Sequence, residues 1–309
     1  MTHQVETLQR MAILSPPNSK SFAVASSRVE SSGAGKSHKA SHARTIAVTS
    51  GKGGVGKSNF AVNVSLELAA LGRRVSLLDG DLALANADVL LGLHPQYHLG
   101  HVLAGLRTLD EVVVRVGSGV RLIPGGSGFE ELANLSHNQH TRLIAELCAM
   151  ENDSDFLIID TAAGIGHNVM DVLRAAAEVV IVTTPDPTAV VDAYATIKVL
   201  HNHSPSKPIS IVVNDVVGIG DADHIFSQLR SAVSRFLNHE IYHLGTVPRD
   251  AELAEAVREQ RPVVEYAPDS PSARAFRLIA KHLHTACRVG PPASGSSTPF
   301  WRLLTEADV

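Results

Sequence analysis

The sequence is poor in aromatic residues and in cysteine. Phe, Trp and Tyr make up 4% of its 309 residues, with a single Trp, which disfavours a nucleic-acid binder that works by stacking bases on rings. Hydrophobic residues nevertheless reach 44%, so we expect an interior of Val, Leu, Ile and Ala, as in a sheet packed with helices. Cys148 and Cys287 lie far apart and form no CxxC motif, which argues against a disulfide framework, an iron–sulfur cluster or a cysteine zinc site.

Long apolar runs and an excess of positive charge are also lacking. No stretch of about 18 apolar residues is present, so the sequence predicts no membrane-spanning helix. The apolar residues 11–14 are too few for the core of a signal peptide, and we expect a cytoplasmic protein. The net charge of −4 disfavours a generally basic surface, so we expect no sequence-specific nucleic-acid binding.

Composition divides the chain into four segments. Residues 1–14 have the spacing of a short amphipathic helix that docks on a partner, although a frayed end is an equal alternative. Residues 15–44 are rich in Ser, Ala, Gly and Lys and predict a flexible basic linker. Residues 45–289 carry the folded domain, and residues 290–309 are a linker followed by an apolar tail.

The folded domain alternates short strands with longer helical segments. This texture predicts a single α/β domain, with a mostly parallel sheet covered by helices on both faces. Ligands then bind at the carboxyl ends of the strands. In the first helix, Phe60, Val64 and Leu68 form one face, and Gly72 suits its C-terminal cap. The expected strands are residues 45–48, 75–78, 120–123, 156–159, 179–182, 209–213 and 242–246.

The strongest motif is a phosphate-binding loop between the first strand and the first helix. It fits G-x-x-x-x-G-K-[ST], in which backbone N–H groups and the helix N-terminus surround a polyphosphate. Lys57 is expected to neutralise the β and γ oxygens, and the Ser58 hydroxyl to bind Mg²⁺. A similar run at residues 33–37 lacks the leading glycine and a preceding strand, so we interpret it as linker. The predicted nucleotide-binding residues are Gly51, Lys52, Gly53, Gly54, Val55, Gly56, Lys57, Ser58 and Asn59.

Acidic residues stand at the ends of two other predicted strands. Asp79 and Asp81 are two positions apart in an extended segment, so both are expected to face the phosphate loop. The alternative is that they cap the loop that follows. Asp160 closes the apolar strand at residues 156–159 and is a third candidate near the metal.

The second lysine of the phosphate loop points to a family. Lys52 and Lys57 together give the form K-G-G-x-G-K-[ST], which resembles the deviant Walker A box of the MinD/ParA group of P-loop ATPases. The resemblance implies that Lys52 reaches the partner's nucleotide in a homodimer that sandwiches ATP. Without it, Lys52 is simply another positive charge at a phosphate loop.

The same resemblance assigns roles to other residues. It implies that Asp81 positions the attacking water, that Asp79 supports the magnesium shell and that Asp160 is the Walker B carboxylate, which holds Mg²⁺ through water. Asn214 matches the family's adenine contact. Pro248 and Asp250 match its second nucleotide-side loop, although Asn and Pro-x-Asp are also ordinary turn residues.

Further stretches resemble one branch, the flagellar number regulators called FlhG or FleN. They lie at residues 77–92, 160–166 and 185–198, and the similarity runs from about Thr45 to His284. The resemblance implies an enzyme that hydrolyses ATP with Mg²⁺ and regulates the number and placement of flagella. The partners that it implies are the GTPase FlhF, a flagellar transcription activator and basal-body proteins.

The two ends of the chain fit this branch less closely. Of the branch's N-terminal activating motif, D-Q-A-x-x-L-R, residues 3–10 keep Gln4 and Leu8, with Arg10 one position late. The membrane-targeting helix of the family corresponds to residues 300–309, where the apolar side chains predicted to touch the membrane are Phe300, Trp301, Leu303 and Leu304. The alternative amphipathic helix, residues 273–288, we interpret as the last helix covering the sheet.

Two other functions stay open at this stage. One is an ATP-loaded binding module that antagonises a flagellar transcription activator, with hydrolysis incidental. The other is a ParA-type DNA partition ATPase, which the acidic core disfavours: residues 1–44 carry six Lys/Arg and two Glu, or +4, which leaves −8 on the rest of the chain.

Sixteen histidines raise the question of a metal site. They include three loosely spaced pairs, His98 and His101, His137 and His140, and His201 and His203. No carboxylate or cysteine set lies beside them, so we interpret them as exposed side chains.

Overall fold

The computed structural model describes residues 43–81, 86–117, 119–125, 137–289 and 298–306. In these residues eight strands form one sheet, in the order β3-β4-β2-β5-β1-β6-β7-β8. All neighbouring strands are parallel except β3 and β4. The strands are β1 (Arg44–Thr49), β2 (Val75–Gly80), β3 (Val114–Val116), β4 (Val120–Ile123), β5 (Phe156–Thr161), β6 (Glu178–Thr183), β7 (Ile209–Val216) and β8 (Ile241–Pro248).

Helices cover both faces of the sheet. One apolar layer includes side chains of α1 and α11, and the other includes side chains of α5, α6, α7, α8 and α12. The helices are α1 (Lys57–Ala70), α2 (Ala87–Leu90), α3 (Leu99–Leu103), α4 (Leu109–Val112), α5 (His137–Asn152), α6 (His167–Ala175), α7 (Pro187–His203), α8 (Ile219–Leu237), α9 (Ala251–Arg258), α10 (Val263–Tyr266), α11 (Pro271–Val289) and α12 (Phe300–Glu306).

The central strands are apolar because both of their faces are covered. All six residues of β5 are buried, and so are the last five of β1 and of β6. A parallel strand between two helical layers favours such continuous Val and Ile runs. The sheet therefore uses aliphatic side chains, in agreement with the low aromatic content.

The predicted α/β architecture is confirmed, and each of the seven predicted strands is present. Gly72 has a φ of +78° just after α1, and its N–H bonds to the Ala69 carbonyl, as its predicted capping role requires. The sequence did not predict β3, a three-residue antiparallel edge strand without a fully buried residue. Its burial is too slight to leave a clear apolar pattern.

The sequence interpretation of the two C-terminal amphipathic segments agrees with the structure for one segment and not for the other. In α11, Phe276, Ile279 and Leu283 are buried against the sheet, so this helix covers the sheet as interpreted. The apolar side chains predicted to touch the membrane do not stand outside the core: Trp301 is 2% exposed and lies in the core with Phe300 and Leu304. The helix α12 packs on α5 and α6, a contact between distant segments that sequence spacing does not reveal.

Several predictions lie outside the described residues. These are the docking segment 1–14, the linker up to residue 42, residues 82–85 of the flagellar-branch motif and the second linker at residues 290–297. The strand β1 begins at Arg44, the last residue of the predicted basic linker, where Arg44 pairs with Glu178. Among the helices described, none is both long and apolar enough to cross a bilayer.

Candidate nucleotide-binding site

The phosphate loop lies between the end of β1 and the start of α1. Gly54 and Gly56 have φ values of +79° and +94°, a region that residues with a Cβ rarely adopt. Gly56 is the N-cap of α1, and Lys57, its first residue, is buried. The loop thus ends in a helix N-terminus with a lysine beside it, the arrangement that binds a polyphosphate.

Two other elements approach this loop closely. A Cβ on Gly51 would stand 2.2 Å from the carbonyl carbon of Asp192 in α7, and one on Gly56 would stand 2.3 Å from Nδ2 of Asn214. Asn214 lies in β7, and its Nδ2 donates a 2.8 Å hydrogen bond to the Val55 carbonyl. The structure therefore brings the predicted base-contacting residue against the phosphate loop.

Asp79 and Asp160 are aligned on the neighbouring strands β2 and β5. Each is 1% exposed. The pKa of Asp160 is raised to about 7: burial raises it most, a hydrogen bond from the Ser58 hydroxyl and the charge of Lys57 lower it, and the nearby carboxylate of Asp79 raises it. Burial likewise raises the pKa of Asp79 to about 6. The site thus holds two carboxylates whose negative charge is costly without a cation.

Asp79 and Asp160 differ in their hydrogen bonds. The Asp79 carboxylate accepts bonds of 3.0 Å from the N–H groups of Asn86 and Ala87 and one of 3.3 Å from that of Asp81. Asp79 therefore caps the loop after β2, which is the alternative that the sequence left open. Asp81 follows the last residue of β2 and is half-buried.

Asp160 has the features of a cation ligand. Within the described residues neither carboxylate oxygen of Asp160 has a hydrogen bond of normal geometry, although a buried carboxylate ordinarily requires such partners or a metal. Oxygen ligands from a carboxylate and a hydroxyl are those that Mg²⁺ prefers. The pair of Asp160 and Ser58, with Asp79 in the adjacent register, therefore fits Mg²⁺.

Lys52 is paired within its own chain. Its Nζ donates a 2.6 Å bond to Oδ2 of Asp186 and a 2.8 Å bond to Oγ1 of Thr188. Oδ1 of Asp186 accepts from the backbone N–H of Thr188 and so caps α7. Lys52 and these hydrogen bonds lower the pKa of Asp186 to about 2, so the Asp186 carboxylate is ionised at neutral pH.

The loops after β7 and β8 meet beside Asn214. Pro248 is the last residue of β8 and pairs with Val216. Asp250 accepts bonds from the N–H of Glu252, at the start of α9, and from the N–H and Oγ of Ser272, in α11. The carboxylate of Asp250 thus serves the turn, the alternative role raised from the sequence.

Sequence reasoning missed two ion pairs at this edge of the sheet. Asp186, the partner of Lys52, is 134 positions away in the sequence. The sequence around Asp186 indicates a helix N-cap but not a contact with Lys52. Asp215, at the end of β7, and Arg249, just after β8, form the second pair, beside Asn214. Only the strand order places these residues together.

The histidine pairs are less exposed than predicted. His98, His101 and His201 are half-buried, whereas His203 is exposed. His98 caps α3 through its Nδ1, which accepts from the N–H of Gly100. The side chains of His137 and His140 lie outside the described part of the structure.

Comparisons with known proteins agree on one family. Residues 41–284 match the family model ParA, described as NUBPL iron-transfer P-loop NTPase. The chain is similar to the antiactivator FleN of Pseudomonas aeruginosa, with 42% identity over 77% of this chain and 85% of that protein. It is also similar to the flagellum site-determining protein YlxH of Helicobacter pylori, with 34% identity over 84% of this chain and 89% of that one.

A solved structure gives the same result. The septum site-determining protein MinD of Pyrococcus horikoshii, complexed with Mg-ADP, superposes with a TM-score of 0.64 and 26% identity. The match covers 82% of this chain and 99% of the MinD chain. Fold, phosphate loop and sequence similarity therefore coincide over the same residues.

Proposed function

Because this chain belongs to the ParA/MinD family of P-loop ATPases, we propose that it is a Mg²⁺-dependent ATP switch whose dimerisation regulates the number and placement of flagella. The flagellar part is supported by two relatives, the antiactivator FleN and the flagellum site-determining protein YlxH. Both are covered over more than four fifths of their length. The switch is proposed for the domain at residues 45–289.

The observation that carries the catalytic proposal is the buried carboxylate of Asp160. It lies at the carboxyl end of β5, and its pKa responds to Ser58 and Lys57 of the phosphate loop. A buried carboxylate with no hydrogen bond of normal geometry among the described residues is a poor structural element and a good cation ligand. Its place beside the phosphate loop supports Mg²⁺ bound together with ATP.

Different residues of the site have different roles in the proposed hydrolysis of ATP. The backbone N–H groups of residues 51–58 and the Nζ of Lys57 hold the phosphates, and Ser58 and Asp160 hold Mg²⁺, with Asp79 in support. Mg²⁺ neutralises charge on the transferred phosphoryl group. Asp81 orients the attacking water, and Asp79 fixes the backbone that carries Asp81 by accepting its N–H.

The adenine contact is assigned to Asn214. Since its Nδ2 is bound to the Val55 carbonyl, its Oδ1 is the atom left to face a ligand. An amide oxygen accepts from the 6-amino group of adenine. Pro248 borders the same site, while the carboxylate of Asp250 orders the turn behind it.

Dimerisation is assigned to the edge of the sheet that holds the nucleotide. Ile165 and Val217, which follow β5 and β7, are exposed apolar residues at this edge, and a second copy of the chain would cover them. In that dimer Lys52 reaches the partner's nucleotide. To do so it must leave Asp186, so the ion pair opposes dimerisation until ATP is bound.

The proposed partners beyond the homodimer are FlhF, a flagellar transcription activator and basal-body proteins. A reversible contact of this cytoplasmic protein with the inner membrane is proposed for α12. Because Phe300, Trp301 and Leu304 are buried, that contact requires α12 to leave α5 and α6. The N-terminal segment 1–14 is proposed to dock on a partner, and the linker is proposed to connect this segment to the ATPase domain.

The test is the mass of the protein in solution with ADP and with ATP, for the wild type, Asp81→Ala and Lys57→Gln. We expect a monomer with ADP, a dimer with ATP and a persistent dimer of Asp81→Ala, because hydrolysis no longer resets it. Lys57→Gln should bind no ATP. A monomer under all conditions, or normal ATP binding by Lys57→Gln, would contradict the proposal.

A second candidate is an ATP-loaded module that sequesters a transcription activator, and the name antiactivator of the FleN relative favours it. The two candidates differ in their need for hydrolysis. Cells whose Asp81→Ala protein cannot hydrolyse ATP should make an abnormal number of flagella if the switch must reset. A normal number would favour the binding module.

A further inference from the structure

An ion pair joins the end of β7 to the loop that follows β8. Nε of Arg249 donates to Oδ1 of Asp215 and Nη2 donates to Oδ2, both at 2.7 Å. The backbone N–H of Arg249 also donates to the Val216 carbonyl, at 2.8 Å. Side chains and backbone thus both connect the end of β7 to the loop after β8, and the paired donors fix the angle between these two segments.

Asp215 lies where β7 departs from regular pairing. The register between β7 and β8 shifts between Val213 and Val216, and Asp215 has a φ of +59°. Asp and Asn tolerate this left-handed region better than other residues with a Cβ. Because Asn214 immediately precedes this bend, the conformation of Asp215 sets the direction in which Asn214 leaves the strand.

The pair is too exposed to matter much for global stability. The side chains of Arg249 and Asp215 are 64% and 46% exposed, and ion pairs of that kind contribute little to folding. Asn214, in contrast, is fixed on its other side by the Val55 carbonyl of the phosphate loop. The expected effect of the pair is therefore local, on the orientation of Asn214.

We propose that Asp215 and Arg249 are positioning residues that form a clasp, defined as this bidentate pair, which holds Asn214 so that the site selects adenine over guanine. The inference rests on the proposed binding of ATP at the phosphate loop. Adenine presents a 6-amino donor where guanine presents the O6 acceptor. An amide oxygen held in place accepts from the first and is repelled by the second.

The test compares ATP, GTP and inorganic tripolyphosphate by isothermal titration calorimetry. In Asp215→Ala and Arg249→Ala we expect the Kd for ATP to rise roughly 3- to 10-fold, within the tenfold that corresponds to about 1.4 kcal/mol. The Kd for tripolyphosphate, which has no base, should stay unchanged. The preference for ATP over GTP should fall in both variants.

Two further variants isolate the ion pair. Asp215→Gly keeps the left-handed backbone without the carboxylate, and it should lose selectivity as Asp215→Ala does. The double variant should be no worse than either single one, because one interaction is removed in each. Arg258→Ala is the matched control: its pair with Glu255 is equally exposed but lies within α9, so it should leave all three affinities unchanged.

Several results would overturn the clasp. These are an unchanged preference for ATP in the single variants, wild-type binding by Asp215→Gly, additive losses in the double variant, or an equal loss of tripolyphosphate binding. Failure of the proposed function has a different signature. A wild type that binds no ATP, or an Asn214→Ala variant with full selectivity, would reject adenine recognition itself, and the clasp with it.

Discussion

The Nζ of Lys52 lies 2.6 Å from Oδ2 of Asp186 in its own chain. The family resemblance assigns Lys52 to the partner's nucleotide. In this structure Lys52 instead contacts residues at the N-terminus of α7. Both side chains are more than two fifths exposed. The contact is therefore within reach of a competing anion, and a bound nucleotide in a second subunit supplies one.

Replacing Asp186 with Asn should release Lys52 and favour the ATP-bound dimer. Asn still caps a helix well, so α7 should remain intact while the ion pair is lost. We expect the dimer to form at a protein concentration lower by roughly 3- to 10-fold, a modest change because the ion pair is exposed to solvent. Sedimentation velocity with ATP measures this.

Lys52→Ala is the companion variant, and it should prevent the dimer. Since the pKa of Asp186 is lowered to about 2, the pair is intact from pH 6 to 8, and the effect of Asp186→Asn should be constant over that range. A lowered carboxyl pKa means that the contribution of the pair is lost only as the pH falls below about 4. Weaker dimerisation of Asp186→Asn would show that Asp186 supports the dimer directly.

Gly51→Ala should disrupt the phosphate loop. The added methyl would stand 2.2 Å from the Asp192 carbonyl carbon, so β1 and α7 must separate, and overpacking of this kind typically costs about 1 to 3 kcal/mol. We expect a lower midpoint of thermal unfolding and lost ATP binding. Gly53→Ala is the control, because a Cβ there meets nothing within 4 Å. Equal midpoints for the two variants would contradict the close packing of α7 on the loop.

The sequence predicted the phosphate loop and Asp160 because each depends on local order along the chain. A strand, a glycine-rich turn and a helix follow one another, and Asp160 ends a continuous apolar run. The partner of Lys52 was not predictable, since it depends on α7 folding back beside β1. The burial of Trp301 was missed for the same reason: apolar spacing describes a helix face but not what covers it.

Asp160→Asn should stabilise the Mg²⁺-free protein and impair hydrolysis. A pKa raised to about 7 means that the folded state binds more protons than the unfolded state between about pH 4 and pH 7. Stability therefore falls as the pH rises through that interval. At pH 8 the neutral amide should add on the order of 4 kcal/mol to the free energy of unfolding, and at pH 4 almost nothing.

Chemical denaturation at both pH values measures this difference. Adding Mg²⁺ with ADP should stabilise the wild type more than Asp160→Asn, since the cation replaces the missing partner of the carboxylate. Leu278→Asn, on the exposed face of α11, controls for a general effect of an added amide. A variant that is less stable than the wild type at pH 8 would mean that Asp160 has a stabilising partner in the folded protein.

The C-terminal helix α12 should contribute to stability before it contributes to any membrane contact. Trp301 packs edge-on against Phe300, with ring centroids 5.1 Å apart, and the Phe300 N–H donates to Oε1 of Glu151 in α5. Truncating a buried Trp typically costs about 3 to 5 kcal/mol. Trp301→Ala should therefore lower the unfolding free energy markedly, whereas Leu278→Ala, an exposed apolar residue, should not.

The same variant decides how α12 is used. If its apolar side chains bind lipid only after leaving the core, Trp301→Ala removes both contacts, and sedimentation with anionic vesicles should be weak with or without ATP. The wild type should sediment more with ATP than with ADP, because two released helices act together. Equal sedimentation of the wild type with both nucleotides would limit α12 to a structural role.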